Sequence, residues 1–245
     1  MNLLSGDAVA LASALNSALT DASAVEVIVC PVFTVLAAVS QALKGGRVAV
    51  GGQNCYHDAS GAFTGEISPQ MLHDAGCTWT IVGHSERRQL FGEADALLNR
   101  KLKFALASGL NVMFCVGETL DERKGGMMET VLRQQVSEGL SGLTEAEFAN
   151  TVIAYEPVWA IGTGVTATPE QAQDAHAFVR GLVRGQFGAT VSDGLRIQYG
   201  GSVKPDNAAD LLSRPDVDGA LVGGASLNAE GFAAIVRAGV SAATR

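Results

Sequence analysis

Glu156 stands between a short apolar run and a loop of small residues, a position typical of a catalytic carboxylate. The run at residues 151–155 is apolar and partly β-branched, so it predicts a buried strand. Pro157 disfavours the helical region for the residue before it, so Glu156 is held extended at the carboxyl end of that strand. The loop that follows is longer than a strand-to-helix connection needs. We therefore predict that Glu156 is a general base beneath a lid.

The same loop supports a rival interpretation, because Gly162, Gly164 and Ala167 have the spacing of a dinucleotide-binding fingerprint. That function would make the protein an NAD-dependent oxidoreductase. The fingerprint requires its first glycine in the tight turn directly after the strand, whereas here residues 156–161 intervene. The sequence therefore favours the lid, and a titration with a nicotinamide nucleotide would distinguish the two interpretations.

A second polar cluster follows another apolar run. His84 comes two residues after the run at residues 78–82 and is followed at once by Ser85, Glu86 and Arg87. A structural histidine within a helix-capping cluster is the alternative interpretation of this segment alone. Because His84 and Glu156 both follow predicted strands, and parallel barrels gather their active sites at strand ends, we predict that the two share one site.

Three glycine-rich turns also end predicted strands. They lie at residues 162–164, 199–202 and 223–224. Glycine lets backbone N–H groups approach an anion closely, and a helix that begins nearby directs its dipole at the same point. One such turn is weak support for a binding site, but three on the last three strands predict a cradle for a phosphate group.

The elements that would position these residues alternate between short apolar strands and amphipathic helices. Seven strands are predicted, at residues 25–30, 47–51, 78–82, 111–116, 151–155, 195–199 and 219–222. Helical spacing of apolar residues recurs between them, as at Leu98, Leu102 and Ala105, and a helix near Asp7 to Leu19 precedes the first strand. Without a linker or a break in composition, we expect one α/β domain over residues 1–245.

Composition excludes several classes of function. The net charge of −8 and the lack of a basic cluster argue against a nucleic-acid partner. No apolar run is long enough to span a bilayer, so we expect no membrane association. Four cysteines without a CxxC pair indicate reduced, packed thiols in a cytoplasmic protein and match no metal-site spacing.

Several longer segments carry a family resemblance that extends over essentially the whole chain. They are Gly51-Gly-Gln-Asn-Cys-Tyr56, Phe63-Thr-Gly-Glu66, Val82-Gly-His-Ser-Glu-Arg-Arg88, the stretch from Tyr155 to Thr163, Tyr199-Gly-Gly-Ser-Val203 and Leu221-Val-Gly-Gly-Ala-Ser-Leu227. Together they resemble triosephosphate isomerase. The resemblance implies a (β/α)8 TIM barrel, of which this chain encodes seven strands, and an intramolecular aldose–ketose isomerase.

The resemblance also implies a reaction and roles in it. Dihydroxyacetone phosphate and D-glyceraldehyde 3-phosphate would interconvert through an enediolate, without cofactor or metal, as in glycolysis and gluconeogenesis. Glu156 would take the carbon-bound proton, and neutral His84 would polarise the carbonyl oxygens. Glu86 would be a supporting acid beside the histidine.

Further expectations concern the phosphate, the lid and the partner. The resemblance places the substrate phosphate on backbone groups of Gly162, Ser202, Gly223 and Gly224. A lid centred on residues 160–163 would close to keep water from the enediolate. The protein would be a homodimer in which the loop from Gly61 to Glu66 docks into the partner subunit.

One feature of the family is missing from this sequence. Members normally begin with a strand that ends in Gly-Asn-Trp-Lys, and this chain starts at the position that follows it, so an eighth strand would have to precede Met1. One hypothesis is a working isomerase whose chain has a further segment upstream. The alternative is an N-terminally truncated, catalytically impaired phosphate-binding barrel. The resemblance makes the lysine of the missing motif an electrostatic stabiliser in the active site, and losing a stabiliser of that kind costs roughly 10²- to 10³-fold in rate.

Overall fold

A computed structural model describes residues 1–161 and 166–244, and its centre is a sheet of seven parallel strands. The strands are β1 (Val27–Val29), β2 (Val48–Gly52), β3 (Trp79–Val82), β4 (Asn111–Val116), β5 (Thr151–Tyr155), β6 (Arg196–Tyr199) and β7 (Gly219–Ala220). They are hydrogen-bonded to one another in chain order. This curled parallel sheet surrounded by helices confirms the predicted α/β class and the TIM-barrel architecture.

Helices occupy the connections between strands. They are α1 (Ser5–Ala18), α2 (Leu36–Leu43), α3 (Pro69–Asp74), α4 (Ser85–Phe91), α5 (Asp95–Ala107), α6 (Leu120–Lys124), α7 (Met128–Gly139), α8 (Glu145–Phe148), α9 (Pro169–Phe187), α10 (Ala189–Gly194), α11 (Ala208–Leu212) and α12 (Ala229–Ala243). Short 3-10 helices lie at Phe33–Val35, Val158–Ala160 and Gly224–Leu227. Of the helices in the described residues, none has the length and apolar character required to cross a membrane.

All seven predicted strands are present, but the first and last are shorter than predicted. The strand expected at residues 25–30 is Val27–Val29, and the one expected at 219–222 is Gly219–Ala220. The reason is pairing: among the described residues β1 pairs only with β2, and β7 pairs only with β6. An edge strand lacks the second hydrogen-bonded ladder that holds an inner strand extended on both sides.

The barrel interior is built from alternate residues of the central strands. Trp79 and Ile81 of β3, Met113 and Cys115 of β4, and Val152 and Ala154 of β5 pack together as one buried cluster. Side chains along a strand alternate between faces, so the residues between them face the helices and form the larger outer core. Glu156 continues the inward series of Val152 and Ala154, which directs its carboxylate to the mouth of the barrel.

The helix after the predicted lid begins as expected. The side chain of Thr168 accepts a hydrogen bond from the backbone N–H of Gln171, and Oε1 of Gln171 accepts one from the backbone N–H of Thr168. Pro169 occupies the first turn of α9. This capping box satisfies two backbone donors that the helix start would otherwise leave unpaired, so it fixes where the loop ends.

Candidate active site

The carboxylate of Glu156 is buried and held by three donors from the segment that follows β3. The backbone N–H of Ser85 donates to Oε2 at 2.9 Å, and the Ser85 hydroxyl donates to Oε1 at 3.1 Å. Nε2 of His84 lies 3.0 Å from the same Oε1. Only 2% of the Glu156 side chain is exposed. The structure therefore brings the predicted base and the predicted polarising residue into direct contact.

Burial raises the pKa of the Glu156 carboxyl above its ordinary value. The neighbouring His84, the two Ser85 donors and the Cys115 thiol oppose this shift, but desolvation is the largest cause. A general base works best when its pKa lies close to the working pH, because it is then both ionised and able to accept a proton. The environment of Glu156 moves its pKa in that direction.

The start of α4 fixes the tautomer of His84. Its Nδ1 accepts a hydrogen bond from the backbone N–H of Glu86 at 3.3 Å, which makes His84 the N-cap of this helix. An accepting Nδ1 carries no hydrogen, so in the neutral ring the hydrogen is on Nε2. Nε2–H therefore donates to Glu156, and the same N–H can donate to a substrate oxygen that takes the place of the carboxylate.

Glu86 lies beside the histidine but faces solvent. Its side chain is 71% exposed, and its Oε2 is 3.9 Å from Nδ1 of His84. At that distance the two atoms are not hydrogen-bonded, and Nδ1 already accepts from the Glu86 backbone. The backbone of Glu86 thus acts on the ring more directly than its carboxylate does in this conformation.

The predicted phosphate residues of the last two strands share a cleft with the histidine. Ser202, Gly223 and Gly224 line a cleft of about 1700 Å³ whose wall also includes His84 and Glu86. A Cβ atom added at Gly223 or Gly224 would meet nothing within 4 Å, so the backbone there opens directly onto the cleft. An anion in the cleft can therefore reach main-chain N–H groups without obstruction by side chains.

Two further glycines lie in tightly packed positions, one against the base and one against Tyr199. A Cβ atom on Gly200 would lie 2.8 Å from Cγ of Glu156, and one on Gly201 would lie 2.2 Å from the hydroxyl of Tyr199. Any larger residue would push the base or the tyrosine out of place, so these positions require glycine for space. The fourth predicted phosphate residue, Gly162, lies outside the described residues.

Sequence reasoning missed Glu118, which anchors the start of the lid segment. Its fully buried carboxylate accepts hydrogen bonds from the Tyr155 hydroxyl at 3.1 Å and from Nε1 of Trp159 at 2.9 Å. Arg123 donates to it at 3.0 Å and stacks over the ring of Trp159. A carboxylate two residues beyond the end of β4 was the available signal, because strand ends are where barrel sites collect.

Ser85 belongs to the predicted polar cluster, but its position in the sequence does not indicate the contact with Glu156. The contact joins residues 71 positions apart in the chain, so it depends on the register of three strands.

For a metal site, the described residues contain no group of three or more His, Cys, Asp or Glu side chains placed to hold an ion.

Comparisons with known proteins agree on one family. The family model described as triosephosphate isomerase matches residues 1–239. A relative from Syntrophotalea carbinolica, named triosephosphate isomerase, is 55% identical over 233 residues, which is 95% of this chain and 92% of the relative. Relatives of the same name from Geobacter metallireducens and Chlorobium luteolum are 57% and 53% identical, over 86% and 98% of this chain and 84% and 95% of their own.

Proposed function

The chain belongs to the triosephosphate isomerase family, and from that premise we propose that it interconverts dihydroxyacetone phosphate and D-glyceraldehyde 3-phosphate. The observation that carries the proposal is the 3.0 Å contact between Nε2 of His84 and Oε1 of a buried Glu156. This contact supports a mechanism in which a carboxylate base and an N–H donor act on the same small substrate. The alternative of an impaired phosphate-binding barrel receives no support from the comparisons.

The proposed reaction is two proton transfers on adjacent carbons. Glu156 removes a proton from the carbon beside the carbonyl group, and the electron pair moves to form the enediolate. His84 donates its Nε2 hydrogen bond to the carbonyl oxygens and stabilises the charge that develops there. The protonated Glu156 then returns a proton to the neighbouring carbon. The hydroxyl proton of the enediolate passes from one oxygen to the other through Nε2 of His84, and the two transfers together exchange ketone and aldehyde. Glu86 is proposed as the supporting acid beside the histidine.

We propose that backbone groups of Gly162, Ser202, Gly223 and Gly224 hold the substrate phosphate. The open backbone at Gly223 and Gly224 supports this assignment. A phosphate held there would place the three-carbon chain across the cleft toward His84. The rival NAD-binding fingerprint depends on Gly162 and Gly164, which lie outside the described residues, and the comparisons give it no support.

We further propose a homodimer formed through the loop from Gly61 to Glu66, and a cytoplasmic location for a single domain of residues 1–245. At the tip of that loop Phe63 remains 40% exposed while its ring packs on Tyr56. Exposed aromatic residues held in one orientation are typical of protein interfaces. The four cysteines are free, as in a reducing compartment.

The reaction class is tested by running it in D₂O. A carboxylic acid exchanges its proton with solvent, so an enediolate mechanism incorporates deuterium from solvent at carbon in part of the product, detectable by NMR. A hydride transfer would carry the original hydrogen and leave the product unlabelled. Product without carbon-bound deuterium would contradict the proposed route.

A further inference from the structure

The side chain of Gln135 clamps the peptide groups of Gly117 from both sides. Its Oε1 accepts the Gly117 N–H at 2.7 Å, and its Nε2 donates to the Gly117 carbonyl at 3.1 Å. A primary amide can pair with one residue in this way just as a neighbouring strand would. Gly117 is the first residue beyond β4 and is buried, so without Gln135 both of its main-chain groups would lose these partners.

Gly117 lies directly against the backbone of the proposed base. A Cβ atom on Gly117 would be 1.8 Å from the carbonyl oxygen of Glu156, so the two main chains are in contact with no room for a side chain. On either side of Gly117, Val116 accepts from the Glu156 N–H at 2.7 Å, and Glu118 accepts from the Val158 N–H at 3.1 Å. Residues 116–118 therefore hold the main chain of residues 156–158 in place through backbone contacts.

The helix that carries Gln135 is itself closely packed on β4. Leu132, Val136 and Gly139 of α7 are buried. A Cβ atom on Gly139 would lie 2.2 Å from the ring of Phe114 in β4, so the helix packs against that ring with no room for a side chain. Core packing thus fixes Gln135 relative to β4, and the two hydrogen bonds of its side chain fix Gly117 in turn.

We propose that Gln135 is a positioning residue for Glu156, acting through Gly117. The proposal rests on the proposed function, in which Glu156 is the base. A general base displaced by about 1 Å can lose about 10² in rate. Three of the four proposed phosphate residues, Ser202, Gly223 and Gly224, lie on the loops after β6 and β7 and not on the segment that Gly117 contacts. Loss of the clamp therefore lowers kcat while KM and the affinity for phosphate stay nearly constant.

The test compares Gln135→Met with Gln134→Met. Methionine keeps the length of the side chain but makes neither hydrogen bond, and Gln134 is an exposed neighbour on the same helix. For Gln135→Met we expect kcat to fall about tenfold or more, with KM and the inhibition constant of inorganic phosphate within about twofold of the parent. Gln134→Met should match the parent in all three quantities.

A second variant, Gln135→Glu, tests the proposal if Gln135→Met does not fold. Gln135→Glu keeps the acceptor for the Gly117 N–H but, once ionised, sets a carboxylate against the Gly117 carbonyl. Its kcat relative to the parent should fall as pH rises through the ionisation of the new carboxyl group. A change in packing alone would not produce that pH dependence.

Two results would overturn the inference. One is a kcat for Gln135→Met equal to that of Gln134→Met, and the other is a loss of kcat fully explained by the unfolded fraction measured by circular dichroism. Glu156→Gln is assayed in parallel: if it keeps parental activity, the proposed function fails. If it is inactive while Gln135→Met is unaffected, only the role of Gln135 fails.

Discussion

In the structure, Nε2 of His84 and Oε1 of Glu156 lie 3.0 Å apart, so the two groups proposed to act on the substrate are hydrogen-bonded to each other. Ser85 holds the same carboxylate with two further donors. A substrate carbonyl must take the place of the carboxylate at Nε2 before either group can act. In the proposed reaction the Nε2–H hydrogen bond of His84 therefore passes from the carboxylate to the substrate.

Ser85→Ala tests the part that Ser85 has in setting the acidity of the base. The Ser85 hydroxyl lowers the pKa of the Glu156 carboxyl, so its removal leaves that pKa higher still. The acid limb of the kcat/KM–pH profile should therefore move to higher pH, with the maximum reduced by less than about tenfold. Ser17→Ala, at an exposed position of α1, is the control and should leave the profile in place. A shift of the acid limb to lower pH would contradict the prediction.

The burial of His176 leads to a separate prediction, about how the stability of the protein depends on pH. It is fully buried between the rings of Tyr155 and Tyr199, and burial lowers its pKa to about 4 from an ordinary 6.5. Its Nδ1 donates to the carbonyl of Asp216 at 3.0 Å. The folded state therefore favours the neutral ring, so this contribution to stability is complete above about pH 6.5 and is lost as pH falls toward 4.

The expected loss from His176 between pH 7 and pH 4.5 is about 2–3 kcal/mol. Urea unfolding of the parent and of His176→Gln at both pH values measures it, because groups common to both proteins cancel in the difference. The parent should lose more stability than the variant on acidification. Parallel losses in the two proteins would show that His176 does not titrate as expected.

The loop around Phe63 tests the proposed homodimer. Phe63→Ser removes an exposed ring at the loop tip, and an aromatic residue at an interface commonly contributes about 2 kcal/mol to binding. Analytical ultracentrifugation should show a dissociation constant raised about tenfold or more. Met71→Ser, at an exposed apolar residue of α3, is the control. Sedimentation of the parent as a monomer at all concentrations would contradict the dimer.

Much of the fold follows from local sequence. The seven strands are recognisable because a buried parallel strand is a continuous apolar run, and the start of α9 because Thr168, Pro169 and Gln171 are local capping signals. The extents of β1 and β7 were wrong because they depend on how many neighbours pair with each strand, which local sequence does not specify.

Less of the site could be predicted from sequence. Strand-end positions indicated that His84 and Glu156 would meet, and the structure places them together. The two donors of Ser85 and the burial of Glu118 were not foreseen, because they depend on strand register and on partners distant in the chain. A buried carboxylate is rare without such partners, so composition alone would place Glu118 at the surface.

The central claim is that Glu156 is the base, and the kcat of Glu156→Gln tests it most directly. Glutamine keeps the shape of the side chain but cannot accept the substrate proton. Glu138→Gln, an exposed position on α7, is the matched control and should retain parental activity. We expect kcat of Glu156→Gln to fall about 10²- to 10⁴-fold in a folded protein. A folded Glu156→Gln protein with kcat within about threefold of the parent would contradict the account.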